Sequence, residues 1–127
     1  SLIYKAVSYP EVDYEVWGSG QQYRDFIHVQ DVVRGICSLM DKGMNQGLIQ
    51  IGSGVATSIR NLCETIIETS EKDITPTFTL QMPEGDRGRI ADYSLAKQIL
   101  GWEPQIGLKE GISRTYEWIE AKMACTR

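Results

Sequence analysis

The chain has no cluster of cationic side chains: its thirteen lysines and arginines are scattered, and seventeen acidic residues leave a formal net charge of -4. A general nucleic-acid binder shows a basic stripe, so that class is excluded. No apolar stretch approaches the roughly 18 residues that a membrane span requires, which argues against a membrane partner. The first residues also lack the charged-then-apolar layout of a signal peptide. Cysteine is sparse. Cys37, Cys63 and Cys125 share no metal-ligand spacing, so no metal site is expected, and an odd count does not suit a disulfide framework. Cys37 and Cys63 sit among apolar residues and read as buried thiols in a reducing cytoplasm. Histidine is scarcer still, with His28 alone.

What is present is ordinary globular material. At 127 residues, 42% hydrophobic and 24% charged, the chain suffices for one domain, 1–127, with a modest core. "SLIYKAV" reads as the last turns of a helix without an N-cap, and Pro10 ends whatever precedes it. "DYEVWG" alternates as a short strand closed by Gly18 and Gly20. "RDFIHV" reads as a second strand. Asp31 is placed to cap a helix over "VVRGICSLMDKG", whose Val32, Val33, Ile36, Leu39 and Met40 share a face and whose Gly43 supplies a left-handed stop.

"GLIQIGSG" reads as an apolar strand with a glycine turn. "TSIRNLCETIIETSEK" carries a clear helical period in Ile59, Leu62, Cys63, Ile66 and Ile67, capped by Thr57 or Ser58. "TPTFTLQMP" alternates with Phe78, Leu80 and Met82 on one face. "SLAKQILGW" is a short helix with Ser94 as cap and Gly101 as stop. Leu108, Ile112, Tyr116 and Ile119 mark a final helix.

Short strands alternating with helices predict an α/β fold with an incomplete parallel sheet. "LIQI" and "FIHV" are apolar on both faces, as strands inside a larger sheet are.

Three blocks, "VWGSGQQYRDFIHVQDVVRGI", "QIGSGVATSIRNLCETI" and "GRIADYSLAKQILGWEPQIGLKEGISRTYEWI", together resemble the C-terminal portion of the extended short-chain dehydrogenase/reductase proteins, the NAD-dependent nucleotide-sugar epimerases and dehydratases. The resemblance runs from about Leu2 to Ile119. "EGDRGRIADYSLAKQILGWEP" is most similar to the branch containing GDP-mannose 3,5-epimerase. The implied fold is the C-terminal part of a Rossmann-like arrangement. The implied function is recognition of the nucleotide diphosphate of a nucleotide sugar, by a portion that is inactive alone.

The family's NAD is seated by a Gly-x-x-Gly-x-x-Gly turn, and its acid/base tyrosine belongs to a Tyr-x-x-x-Lys pair. The glycine turn is missing here, and with it the N-terminal NAD-binding part, so this chain is expected to hold no cofactor and no catalytic residue. Tyr93 and Lys97 match the tyrosine–lysine spacing literally but lie in the wrong block, where plain helix geometry explains them. "IGSGVATS" lacks the third glycine and reads as a tight strand-to-helix turn. Gln50 stands where the family often has asparagine.

Residue by residue, Arg24 matches the family arginine that contacts the diphosphate, against a surface ion pair with Asp25 or a neighbouring carboxylate as the other reading. Arg89, and with it Arg87, matches the second basic position and forms either half of a pyrophosphate clamp or a helix-flanking charge. Val16 and Trp17 match the segment bordering the nucleotide base, and Trp17 reads equally as packed core. His28 reads as a core histidine within a strand rather than an acid/base group. A second function of another class stays open: a stand-alone, non-catalytic nucleotide- or protein-binding module that covers its apolar surface by self-association.

Overall fold

The computed structural model describes residues 1–83 and 85–125; Glu84, which opens the "EGDRGRI" motif, lies outside them. The chain runs α1 (Leu2–Val7), β1 (Glu15–Trp17), β2 (Tyr23–Asp25), α2 (Val29–Lys42), β3 (Ala56–Ser58), α3 (Ile59–Ser70), β4 (Thr77–Thr79), β5 (Gly88–Arg89), a π-helical turn at Ala96–Leu100, and α4 (Leu108–Ala124). The fold is α/β with its sheet in two small pieces. In one, β1 and β4 run parallel; in the other, β2 pairs antiparallel with β3 and parallel with β5.

The helical periods place the core. Leu62, Cys63 and Ile66 of α3 and Ile112 and Tyr116 of α4 turn inward against Ala6 of α1 and Tyr14 and Val16 around β1. Each such aliphatic side chain taken out of water contributes about 1.5–3 kcal/mol. Lys72 ties the ends of this layer together. Its Nζ donates to the carbonyls of Ala6 at 3.0 Å, Val7 at 2.7 Å and Tyr9 at 3.0 Å, closing the open C-terminus of α1. A second cluster forms where Trp102, Leu100 and Ala96 meet Ile27, Leu39 and Ile51.

Several expectations are corrected. Residues 48–51 form no strand: the "LIQI" run has no ladder partner, and Leu48 is 84% exposed. A strand needs a neighbour to take its backbone groups, and among the described residues none lies alongside. The second strand stops at Asp25 because its next residues turn into α2, which starts at Val29. His28, not Asp31, caps that helix, and its side chain accepts from the Gln30 N–H. Gly43 has φ -92°, so the stop is not left-handed. Ser58 caps α3 through its hydroxyl on the Asn61 N–H, as one of the two expected choices, and Gly101 does adopt the left-handed stop. Ser94 does not cap the turn before that stop, a turn with no side-chain cap; the Ser94 N–H donates to Asp92 Oδ1 at 2.9 Å. The fourth strand ends at Thr79, leaving Leu80 exposed.

Cys63 is buried as expected, whereas Cys37 is exposed on α2. The reason lies in that helix as a whole. Val29, Val33, Ile36 and Met40, at helical spacing, form an apolar stripe that faces outward, each at least half exposed. No helix among the described residues is long and apolar enough to cross a membrane.

Candidate functional site

The three-stranded sheet is where the singled-out arginines meet. Alternation along β2 sends Arg24 and Asp25 to opposite faces. Parallel pairing sets Arg24 opposite Arg89, so both arginines leave the same face. Tyr23 N–H donates to the Arg87 carbonyl at 3.0 Å, which holds the Arg87 main chain in the ladder while its side chain stays exposed. Gly88 is required where it stands: the Tyr23 ring occupies the space a Cβ would take.

Arg24 Nη1 donates to the carbonyls of Tyr23 at 2.7 Å and Asp86 at 2.9 Å. Arg89 Nη2 donates to Asp86 Oδ2 at 2.7 Å, in a pair that is exposed on both sides. Among the described residues Arg24 pairs with neither Asp25 nor another carboxylate, and its contact is with the carbonyls of Tyr23 and Asp86. Both guanidiniums thus stand at one sheet edge, and each is hydrogen-bonded to Asp86.

Val16 and Trp17 lie on the other sheet. The Val16 side chain is packed in the core, while Trp17 at the end of β1 is 53% exposed, so packed core does not describe it. The 18–22 loop joins the two sheets. It is held by Arg60, whose Nη2 donates to the Ser19 carbonyl at 3.1 Å and whose guanidinium lies 4.1 Å over the Phe78 ring.

The Asp25 carboxylate does work that the sequence reading missed. Its Oδ1 accepts from Ser53 N–H at 2.7 Å and from the Ser53 hydroxyl, and its Oδ2 accepts from Gly54 N–H and Ala91 N–H, each at 3.0 Å. The glycine turn is thereby stitched to the segment leading out of β5. A dinucleotide pyrophosphate would need those turn amides, and a protein carboxylate already takes them. The turn therefore does not fit NAD, and it is not a strand-to-helix turn either: no strand leads into it, and β3 separates it from α3. Gln50 also has a local task, its Oε1 accepting from Asp92 N–H at 2.9 Å.

Asp31 is the second missed residue. Its side chain is 1% exposed, and Oδ1 pairs with Arg34 Nη2 at 2.6 Å. Oδ2 accepts the Gln105 and Ile106 N–H groups at 3.0 and 2.9 Å, while its main-chain carbonyl takes Trp102 Nε1 at 3.1 Å. Tyr93 packs edge-on against that same Trp102 ring, and Lys97 pairs with Glu103 at 2.6 Å, so tyrosine and lysine each have a structural partner. His28 caps a helix and is not part of a strand core.

Burial pushes both the Asp25 and Asp31 carboxyls up, but their hydrogen bonds more than offset it and hold both below the ordinary carboxylate range. For Asp31 those bonds come from Arg34, Ile106 and Gln105; for Asp25 from Ser53, Ala91 and Gly54. A carboxyl depressed in the fold stabilises it above the unfolded value of about 3.9, and that contribution disappears as pH falls through the folded value. Urea titrations should accordingly give a midpoint that is level from about pH 7 to 5 and declines below about pH 4. A midpoint that rises on acidification would contradict this assignment.

A family model described as GDP-mannose 4,6 dehydratase matches residues 3–115. GDP-mannose 3,5-epimerase of Arabidopsis thaliana is 36% identical over 110 residues, covering 87% of this chain and 29% of that protein. The putative GDP-L-fucose synthase 2 of the same plant is 37% identical over 103 residues, 81% of this chain and 31% of the relative. The chain thus spans about a third of these relatives. Among solved structures, the UDP-glucose 4-epimerase of Thermotoga maritima with UDP-glucose superposes with a TM-score of 0.85 at 33% identity, covering 95% of this chain and 39% of that one. The UDP-glucuronic acid 4-epimerase of Bacillus cereus in complex with UDP-glucuronic acid and NAD gives 0.84 at 27% identity, covering 95% and 38%.

Proposed function

From the premise that the chain belongs to the NAD-dependent nucleotide-sugar epimerase and dehydratase family of the extended short-chain dehydrogenase/reductases, we propose that residues 1–127 are its C-terminal, substrate-binding portion, recognising the diphosphate of a nucleotide sugar. The observation that carries this is the register of β2 and β5, which puts Arg24 and Arg89 side by side on one face. Two guanidiniums on neighbouring strands offer planar, charge-assisted bonds to the two phosphates of one ligand. Arg87 adds positive charge at the same edge. The exposed face of Trp17 borders the base, with the Val16 main chain beside it.

Hydride chemistry belongs to the NAD-binding part of the family fold. Against this chain that part would cover the outward stripe of α2 and pair with the unpaired 48–51 run. By itself the chain contributes the remote binding energy that positions a sugar, and it does not turn over. UDP-glucuronic acid and UDP are bound by solved relatives, which places a nucleotide sugar first among ligands to try.

The test is a thermal-shift titration with UDP, GDP and dTDP sugars, with NAD as control. A ligand at about 100 times its Kd stabilises the folded state by about 2.7 kcal/mol, on the order of 10 °C for a chain of this size. One nucleotide sugar is expected to raise the melting temperature and NAD to leave it unchanged. A shift with NAD alone would overturn the reading.

A further inference from the structure

We propose that Asp86 is a built-in stand-in for phosphate, and that a nucleotide diphosphate binds this chain by displacing it. The inference rests on the reading of Arg24 and Arg89 as the diphosphate cradle. Asp86 engages both arginines at once. Its main-chain carbonyl accepts from Arg24 Nη1 at 2.9 Å, and its Oδ2 accepts from Arg89 Nη2 at 2.7 Å. The residue before it fits the same geometry. Gly85 has φ +71°, and a Cβ there would lie 3.4 Å from Arg24 Nη2, so the left-handed turn lays its backbone against the guanidinium.

Carboxylate and phosphate oxygens use the same guanidinium edges, so the oxygens of Asp86 lie where ligand oxygens would. The hold is weak enough to be exchanged. The Arg89 and Asp86 side chains are 84% and 65% exposed, and water screens such a pair heavily. A diphosphate brings more negative charge and more acceptor oxygens than one carboxylate, and it spans both arginines. A monophosphate or an uncharged sugar meets the same competitor with less to offer. Asp86 therefore sets a threshold that favours two linked phosphates, and between ligands its carboxylate occupies Arg89 while its main-chain carbonyl occupies Arg24.

The experiment is calorimetric titration of the whole chain with GDP and with UDP, using Asp86→Asn, Arg89→Ala and the double variant, each checked for fold by circular dichroism. Asp86→Asn should tighten binding of the preferred diphosphate by about 3–5-fold. In the Arg89→Ala background the same change should give no gain, because its target is gone. Wild-type binding combined with an Asp86→Asn variant that binds equally or more weakly would overturn the stand-in while leaving the cradle intact. No binding of either diphosphate by any variant would overturn the cradle, and the stand-in with it.

Discussion

Replacing Asp31 by alanine is expected to cost the fold about 2–4 kcal/mol, chiefly because two backbone N–H groups lose their acceptor. The magnitude follows from what is stranded. Two part-buried backbone N–H groups, of Gln105 and Ile106, lose their acceptor, and each donor left unsatisfied costs up to about 1–3 kcal/mol. Arg34 loses its carboxylate too, but it is 40% exposed and regains water, so it adds less. The same residue ties α2 to the connection before α4, so the loss loosens the seam between elements rather than one turn. Small domains hold only about 5–15 kcal/mol in total, so the variant should be marginal near body temperature. Urea unfolding reads the effect as a lowered midpoint at constant slope. Asp31→Asn keeps a carbonyl for the two amides and should recover roughly half. A midpoint shift worth under about 1 kcal/mol for the alanine variant would mean that the carboxylate does not hold the seam.

Arg24→Ala should weaken binding of the nucleotide sugar by about 10–100-fold while changing the stability of the ligand-free chain far less. Hydrogen bonds to a charged partner contribute about 1.5–3 kcal/mol each, and that range sets the fold-change. In the ligand-free chain Arg24 gives its Nη1 to two carbonyls, of Tyr23 and Asp86, at an edge open to water. Water can replace that donor, so the expected stability loss is about 1 kcal/mol or less. Arg24→Lys should not rescue binding, since a single ammonium cannot reproduce the planar fork. The pairing of the two readouts separates a binding role from a structural one. If alanine lowers stability and leaves affinity unchanged, Arg24 is a strut for the 85–87 turn and nothing more.

Much of this architecture is written locally in the sequence, and the exceptions share a cause. α3 and α4 are legible because a 3.6-residue period runs through Leu62, Cys63 and Ile66, and through Ile112 and Tyr116, and those positions are the ones buried. β3 and β5 are invisible because three residues and two residues are too few to show alternation; pairing with Tyr23–Asp25 alone makes them strands. "LIQI" errs in the opposite direction. Its β-propensity is real, but propensity measures fit to a neighbour, and Leu48 has none. The arginines were marked by their motif, yet their meeting depends on a register set across more than sixty residues. Asp25 looks like an ordinary polar residue in sequence and Asp31 like a helix cap, because their partners come from loops 28 and 74 positions away.

The central claim is that one face of β2 and β5 holds a nucleotide diphosphate between Arg24 and Arg89. Its most direct test is calorimetric titration of the chain with the nucleotide sugar that raises its melting temperature, repeated for Arg24→Lys, Arg89→Lys and both together. The account predicts one site per chain, weaker binding for each single variant, and a double variant less weak than the product of the two, because both side chains grip the same two phosphates. Single variants that bind as tightly as the wild-type chain would place the ligand elsewhere and contradict the claim.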